Sequence, residues 1–220
     1  MIFYAPFDGS PNARGGQAPT EADNDFEFVA AKYGTGVRFT PDSSFQYASP
    51  SGGKVIHKPD VGSVMMWVKP NSTSGNTRPF FRPQKQADPQ GNNDGNLTGP
   101  ALVLGDGSEL GMRFSNAAKA VANPGNVTGW STGSFHLVVG TWNQAQHITF
   151  NVVNTGGTTR VDQPTTYTPN AATTNNIRIS DNLFNSDAII DEVAVWDHEL
   201  TVAEIAALFQ ATASLGNTCP

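Results

Sequence analysis

Apolar and polar residues alternate along much of the chain with the period of two that β-strands produce. The clearest case is a pair of segments, Phe135 to Trp142 and Gln146 to Val153, joined by the turn Asn143-Gln144-Ala145. The alternation predicts a hairpin with one shared apolar face, made by Phe135, Leu137, Val139, Ile148, Phe150 and Val152. The segment Ser63 to Lys69 is apolar on both sides, which predicts a central strand covered on both faces.

Six further short runs have strand composition, with Gly, Pro and Asn between them. They are Ile2 to Pro6, Gly36 to Thr40, Ala101 to Leu104, Gly111 to Phe114, Ile177 to Ile179 and Ile189 to Trp196. Many short strands with this punctuation predict an all-β, antiparallel β-sandwich or jelly roll. One short amphipathic helix is predicted at the C-terminal end, because Thr201 and Glu204 form a capping box and Leu200 can pack on Ile205.

Composition and charge exclude several classes of protein. The chain has 13 basic and 19 acidic residues and a net charge of −6, which argues against nucleic-acid binding. The single cysteine, Cys219, excludes an intrachain disulfide and a cysteine-built zinc site. The sequence has no apolar run that could span a membrane and no signal peptide, so we expect synthesis in the cytoplasm.

The connection from residue 71 to residue 100 is rich in Asn, Gly, Pro and Gln, and we interpret it as one long working loop. Basic residues gather around it, between Lys54 and Lys85, whereas acidic residues gather after Asp181. Such asymmetry can serve contacts between subunits of opposite charge, although two differently solvated faces would explain it equally well. The candidate residues for protein interaction are Arg78, Phe80, Phe81, Arg82 and Lys85.

Four segments, taken in order, resemble a laminin-G-like jelly roll of the concanavalin A-like lectin and glucanase superfamily. They are Phe3 to Gly9, Gly36 to Thr40 leading to Ser63 to Pro70, Phe135 to Trp142 with its hairpin partner, and Ile190 to Trp196 followed by Leu200-Thr201 and Glu204-Ile205. The resemblance covers nearly the whole chain and implies a single domain over residues 1–220. It implies no particular function, since the superfamily includes lectins, protein-binding modules, glycosidases and structural domains.

Catalysis is not predicted. Glycosidases use two carboxylates, and the segment Glu21-Ala22-Asp23-Asn24-Asp25 has the alternation of a laminarinase-type motif but the wrong third acid. The four histidines match no zinc spacing, and His136 and His147 are expected on the surface, on the face opposite the apolar set of the hairpin.

Two aspartates and one tryptophan are candidate site residues. Asp191 alternates with Ile189, Val193 and Val195, so it should point toward the core, where a carboxylate must be hydrogen-bonded, paired or metal-bound. A structural hydrogen-bonding role is favoured, and the alternative is a calcium ion held by Asp8 and Asp191, as the resemblance suggests. Trp130 lies in a Gly- and Asn-rich stretch and is the candidate exposed aromatic for stacking on a glycan.

These observations predict a non-enzymatic module on the surface of a phage or virus particle, such as a capsid decoration protein. Its expected partners are capsid or other virion proteins and further copies of itself, with a trimer as one arrangement. The alternative is a carbohydrate-binding, lectin-like module whose partner is a glycan. No cofactor is expected apart from the alternative of calcium.

Overall fold

The computed structural model describes residues 1–14, 17–22, 25–39, 43–48, 61–72, 78–85, 101–105, 109–113, 119–143, 147–164, 175–180 and 186–214. These residues form fifteen strands, a 3-10 helix at Pro124–Asn126 and one α-helix, α1 (Val202–Ser214). The strands are β1 (Phe3–Ala5), β2 (Glu21–Ala22), β3 (Phe26–Ala30), β4 (Thr35–Phe39), β5 (Ser44–Tyr47), β6 (Val61–Pro70), β7 (Arg78–Lys85), β8 (Ala101–Gly105), β9 (Glu109–Arg113), β10 (Lys119–Ala122), β11 (His136–Asn143), β12 (His147–Asn154), β13 (Gly157–Pro164), β14 (Asn175–Ser180) and β15 (Ala188–Trp196).

The strands form two antiparallel sheets. The first has eight strands in the order β13-β12-β11-β6-β15-β4-β3, with β1 also paired to β15. The second has seven strands in the order β10-β9-β8-β7-β14-β5-β2. The predicted all-β sandwich of the jelly-roll type is therefore confirmed, and every strand expected from the sequence is present within a few residues.

The main core lies between the two sheets, because alternate residues of each strand point to the inner face. It is rich in aromatic side chains, among them Phe45 and Tyr47 from β5 and Trp142 from β11. Phe45 contacts the rings of Phe7, Phe26 and Phe39, at centroid distances of 5.7, 4.6 and 5.1 Å. These buried aromatic contacts hold the two layers together.

A second, smaller core lies on the outer face of the eight-stranded sheet, under α1. Its buried members are Met65, Trp67, Leu137, Val139, Val153, Ala194, Leu200 and Ile205. The helix begins as predicted: the Glu204 carboxylate accepts the Thr201 N–H at 2.8 Å, and Thr201 Oγ1 accepts the Glu204 N–H at 3.2 Å. Within the described residues, no helix is long and apolar enough to cross a membrane.

The hairpin of β11 and β12 is confirmed, but its expected shared apolar face is wrong. Trp142 pairs with Ile148 and Val138 with Val152, and these four residues belong to the main core. Leu137 pairs with Val153, and both lie under α1. Both faces of the hairpin are buried, so the apolar residues of the two strands alternate between two cores. Gln144 and Ala145 of the predicted turn lie outside the described residues.

The prediction of one long loop over residues 71–100 is wrong for residues 78–85. These residues form β7, which lies in the interior of the second sheet. It pairs with β14 on one side and with β8 on the other. Phe80 and Phe81 are both 0% exposed and belong to the main core. The predicted role of Phe80 and Phe81 in protein interaction is therefore wrong, because a side chain buried in the core cannot contact a partner protein. The side chains of Arg78 and Lys85 lie outside the described residues.

Candidate functional site

The outer face of the eight-stranded sheet is apolar under α1 and polar beyond it. Three buried polar side chains, Thr141, Thr149 and Asn151, occupy outward positions of β11 and β12. Thr141 and Thr149 are cross-strand partners whose hydroxyls lie 2.8 Å apart, and the Asn151 amide donates to Thr149 Oγ1 at 3.1 Å. These polar groups are satisfied mainly by one another, which fixes their orientation.

Glu199 lies over this polar surface. Its Oε1 accepts a hydrogen bond from Thr141 Oγ1 at 3.3 Å and is 2.5 Å from His147 Nε2. The side chains of His147 and Glu199 are 24% and 25% exposed, so both can reach solvent. The pair therefore presents an ionisable, solvent-accessible centre on a buried polar base.

The backbone on both sides of Glu199 is fixed by one buried serine in the central strand β6. Ser63 Oγ donates to the His198 carbonyl and accepts the Leu200 N–H, both at 2.8 Å. Leu200 itself packs in the small core beneath α1. These contacts hold the segment that precedes the helix against the sheet and so position the Glu199 carboxylate.

The edge strand β13 completes the site. Arg160 donates to Asn151 Oδ1 at 3.3 Å and to Asp162 Oδ2 at 3.2 Å, and Asp162 Oδ1 lies 3.7 Å from His147 Nδ1. We call the seven residues the outer polar cluster: Thr141, His147, Thr149, Asn151, Arg160, Asp162 and Glu199. It offers two carboxylates, one guanidinium, one imidazole, one amide and two hydroxyls within a single connected network.

Asp191 is the second notable polar group, and its expected environment needs one correction. The register between β15 and β6 shifts between Asp191 and Ala194, and Glu192 has a φ of 55°. This bulge puts Val193 and Val195 in the main core, whereas Asp191 pairs with Trp67 and lies on the other face. The predicted alternation of Asp191 with Val193 and Val195 is therefore wrong, although its burial is confirmed.

The Asp191 carboxylate has the hydrogen-bonding role that the sequence favoured. The side chain is 0% exposed, and its Oδ2 accepts the Tyr33 N–H at 3.0 Å. Burial, together with the nearby charges of Glu192 and Asp8, raises the pKa of this carboxyl to about 8, although the hydrogen bond from the Tyr33 N–H acts in the opposite direction. Burial also raises the pKa of Glu192, whose carboxylate accepts a hydrogen bond from the Tyr4 hydroxyl.

The calcium alternative at Asp8 and Asp191 stays a prediction. Asp8 is exposed, and its Oδ1 accepts the Thr35 N–H at 3.3 Å. In the part of the chain that the structure describes, no group of three or more His, Cys, Asp or Glu residues is arranged to hold a metal ion. Calcium prefers six to eight oxygen ligands, so binding here would require backbone or water oxygens as well.

If calcium binds at this position, millimolar CaCl₂ should raise the melting temperature of EDTA-treated protein, because the ion binds only the folded state. The measurement is a thermal melt followed by circular dichroism, with MgCl₂ as the ionic control. Asp8→Asn should abolish the increase. An unchanged melting temperature in excess calcium would rule out the metal.

Trp130 is not the exposed aromatic that the sequence suggested. The residue is 9% exposed, belongs to the main core and stacks on the His136 ring at 4.6 Å. His136, expected on the surface, is buried as well, and its Nε2 lies 3.0 Å from the Ser131 carbonyl oxygen. Burial lowers the pKa of His136, which favours the neutral ring. Both residues therefore anchor the segment before β11 instead of presenting a glycan platform.

The other proposed site residues lie apart from the outer polar cluster. Arg82 is half-buried in β7 and is the register partner of Arg178 in β14. Glu21 and Ala22, from the laminarinase-like segment, form the edge strand β2 of the second sheet. Asp23 and Asn24 of that segment lie outside the described residues.

The two antiparallel sheets with a helix on one outer face are those of a lectin-like jelly roll. Residues 42–206 match the laminin G family model of the concanavalin A-like lectin/glucanases superfamily, and the protein belongs to this family. A search of the curated proteins finds no match.

Similar solved structures include the receptor-binding domain of botulinum neurotoxin C/D mosaic serotype, with a TM-score of 0.70 and 12% identity. That match covers 96% of this chain and 51% of the neurotoxin chain. The binding domain of botulinum neurotoxin DC in complex with SialylT has a TM-score of 0.64 and 11% identity, with 96% and 51% of the two chains covered. Trypanosoma rangeli sialidase has a TM-score of 0.67 and 12% identity, over 98% of this chain and 33% of the sialidase. The protein thus spans about a third to a half of these chains.

The sialidase match corrects the prediction that the protein is no enzyme. Part of a chain that is named as a sialidase has the same fold as this protein. Membership of the fold therefore does not exclude catalysis, and the exclusion drawn from the sequence does not stand. At 12% identity, the likeness to the sialidase concerns the fold alone.

Proposed function

We propose that the protein is a carbohydrate-binding module and that the outer polar cluster holds the glycan. The observation that carries the proposal is the Glu199 carboxylate, which is held by His147 and Thr141 yet remains 25% exposed. A sugar hydroxyl both donates and accepts hydrogen bonds, so it needs donors and acceptors close together. The cluster provides both: Glu199 and Asp162 accept, Arg160 donates, and His147 can do either.

The cluster is also rigid enough for specific recognition. Its base is formed by buried side chains of adjacent strands, and Ser63 fixes the backbone around Glu199. A preorganised site loses little conformational freedom when a ligand binds, which favours affinity for small polar ligands. Sites on strands are held more precisely than sites on mobile loops.

The charge of the cluster favours a neutral glycan over an acidic one. Two carboxylates, Glu199 and Asp162, accompany the single permanently charged guanidinium of Arg160. The chain as a whole carries a net charge of −6. An acidic sugar would be repelled by this surface, whereas uncharged hydroxyls can bind both carboxylates. Lectin-like neighbours of the fold, such as the neurotoxin domain in complex with SialylT, support glycan binding in general but not a particular sugar.

The test is a screen of the intact protein against an array of neutral and sialylated glycans, followed by calorimetry on a glycan that binds. Glu199→Gln keeps the shape but removes the charge, and we expect it to weaken binding at least about tenfold, since hydrogen bonds to charged groups are the stronger ones. Glu204→Gln is the matched control, because a glutamine can still cap α1 and the residue lies outside the cluster.

Two results would contradict the proposal. One is an array on which no glycan binds. The other is a Glu199→Gln variant that binds with unchanged affinity. Thermal melts of both variants would show that each remains folded, so that lost binding can be attributed to the site.

A role on the surface of a virion stays a prediction of the sequence. The fold is compatible with a decoration protein, but the loop that was expected to grip the shell contains the buried strand β7. Phe80 and Phe81 would therefore take no part in a contact with a capsid. Cosedimentation of the protein with purified particles would test the role independently of glycan binding.

A further inference from the structure

The strand β13 (Gly157–Pro164) lies at one edge of the eight-stranded sheet and has one side, its free side, on which no strand of the described residues pairs with it. Among the described residues, only β12 pairs with it, in a continuous register from His147 opposite Pro164 to Asn154 opposite Gly157. Six of its eight residues are exposed, and only Thr159 and Val161 are partly buried. Its backbone groups on the free side therefore face away from the sheet, as a template for another strand.

Edge strands are usually protected against such pairing by bulges, by lysines or by being very short. The pairing of β13 with β12 has no register shift, and β13 contains no lysine; its one proline, Pro164, is the last residue of the strand, and its two charged residues, Arg160 and Asp162, have opposite signs. The edge strand at the other end of the same sheet, β3, has five residues and is less exposed. Because β13 is longer than β3, regularly paired and more exposed, it is the better candidate for pairing with an added strand.

The charges on β13 are complementary to those of a second, antiparallel copy. Arg160 and Asp162 flank Val161, and both side chains lie on the outer face as part of the outer polar cluster. If two copies pair about a two-fold axis at Val161, Arg160 of each copy lies opposite Asp162 of the other. Directly opposed residues of antiparallel strands share a face and interact favourably when their charges are opposite. A register shifted by two residues would lose both of these pairs.

We propose that two copies of this chain associate through β13, with the two-fold axis at Val161, to form one continuous sixteen-stranded sheet. Such an interface is isologous, because the same surface serves both partners. The two outer polar clusters would then lie next to each other on one face of the joined sheet. The association itself does not depend on glycan binding, and its test requires no ligand.

The experiment is sedimentation equilibrium of the intact protein over a range of concentrations, with charge-swapped variants. Wild-type protein should show a monomer–dimer equilibrium. Arg160→Asp alone and Asp162→Arg alone should each weaken self-association at least about tenfold, because each puts two like-charged pairs at the interface. The double variant Arg160→Asp/Asp162→Arg restores opposite charges in both pairs and should dimerise again.

A mixture of the two single variants provides the sharpest control. One variant then carries two acidic residues and the other two basic residues, so the mixture should form heterodimers although neither variant self-associates. This rescue also shows that both variants are folded. A wild-type protein that stays monomeric up to about 1 mM would overturn the proposal. So would single variants that dimerise as well as wild type, or a mixture that fails to associate.

Discussion

Deletion of residues 72–98 should leave a chain that does not fold. The deletion removes β7, which lies between β14 and β8, so these two strands would lose the strand that both pair with and the second sheet would be split. It also removes the fully buried Phe80 and Phe81. Loss of one buried phenylalanine side chain typically costs about 3–5 kcal/mol, and a whole domain is stable by only about 5–15 kcal/mol.

Far-UV circular dichroism and a thermal melt would measure this loss as the absence of a cooperative transition. The matched control is deletion of residues 86–98, which removes none of the described strands and should preserve cooperative unfolding. The pair of deletions separates the strand from the rest of the connection. A cooperative melt for the 72–98 deletion would show that β7 is dispensable and would contradict the assigned sheet order.

Asp191→Asn should remove most of a large pH dependence of stability. The folded-state pKa of Asp191 is about 8, whereas an aspartate in an unfolded chain has a pKa of about 3.9. Between these values the folded state holds a proton that the unfolded state releases. The contribution of Asp191 to the free energy of unfolding should therefore be largest below about pH 4 and should fall as the pH rises toward 8.

The expected size of the effect is several kcal/mol, since each unit of pKa shift corresponds to about 1.4 kcal/mol. Asparagine cannot ionise, and its side-chain oxygen can still accept the Tyr33 N–H. At pH 8 to 9 the variant should therefore be more stable than wild type, whereas at pH 4 the two should be nearly equal. Asp191→Ala should be less stable than Asp191→Asn at every pH, because it leaves that N–H without its acceptor and creates a cavity.

Urea unfolding at several pH values would measure these differences. The quantity to compare is the stability difference between variant and wild type, because His136 also titrates with a shifted pKa and contributes equally to both proteins. Asp197→Asn is the control: hydrogen bonding to His198 lowers the pKa of that exposed carboxyl, so the group stays ionised from pH 5 to 9 in both states. A constant difference between Asp191→Asn and wild type from pH 4 to 9 would show that Asp191 does not hold a proton in the fold.

The sequence predicted the strands that are apolar enough to show a period of two, and it predicted the capped helix. It did not predict β7, because Pro79 and Pro83 and the surrounding polar residues are typical of a loop. It also placed Asp191 on the wrong face, because a bulge of one residue reverses the alternation that follows it. Such a bulge depends on pairing with β6 and leaves no local pattern.

The outer polar cluster could not be predicted from local sequence patterns, for a different reason. His147, Thr149 and Asn151 do alternate along β12, and this alternation was the available signal for a polar outward face. The residue that completes the cluster, Glu199, follows His147 by 52 positions and reaches it only through the fold. The residues around Trp130 have the composition of an exposed loop. Trp130 is nevertheless buried, because it packs against His136.

Pairing of β1 with β15 has a consequence for how the protein is made. Tyr4 in β1 contacts Glu192 in β15, a residue 188 positions later in the chain. β1 must therefore wait for β15, which is synthesised much later, before it can enter its sheet, so this part of the sandwich cannot form as β1 leaves the ribosome. Folds dominated by such distant pairings fold slowly. Until β15 has been synthesised, β1 has no strand to pair with and its apolar side chains stay exposed or bound to a chaperone.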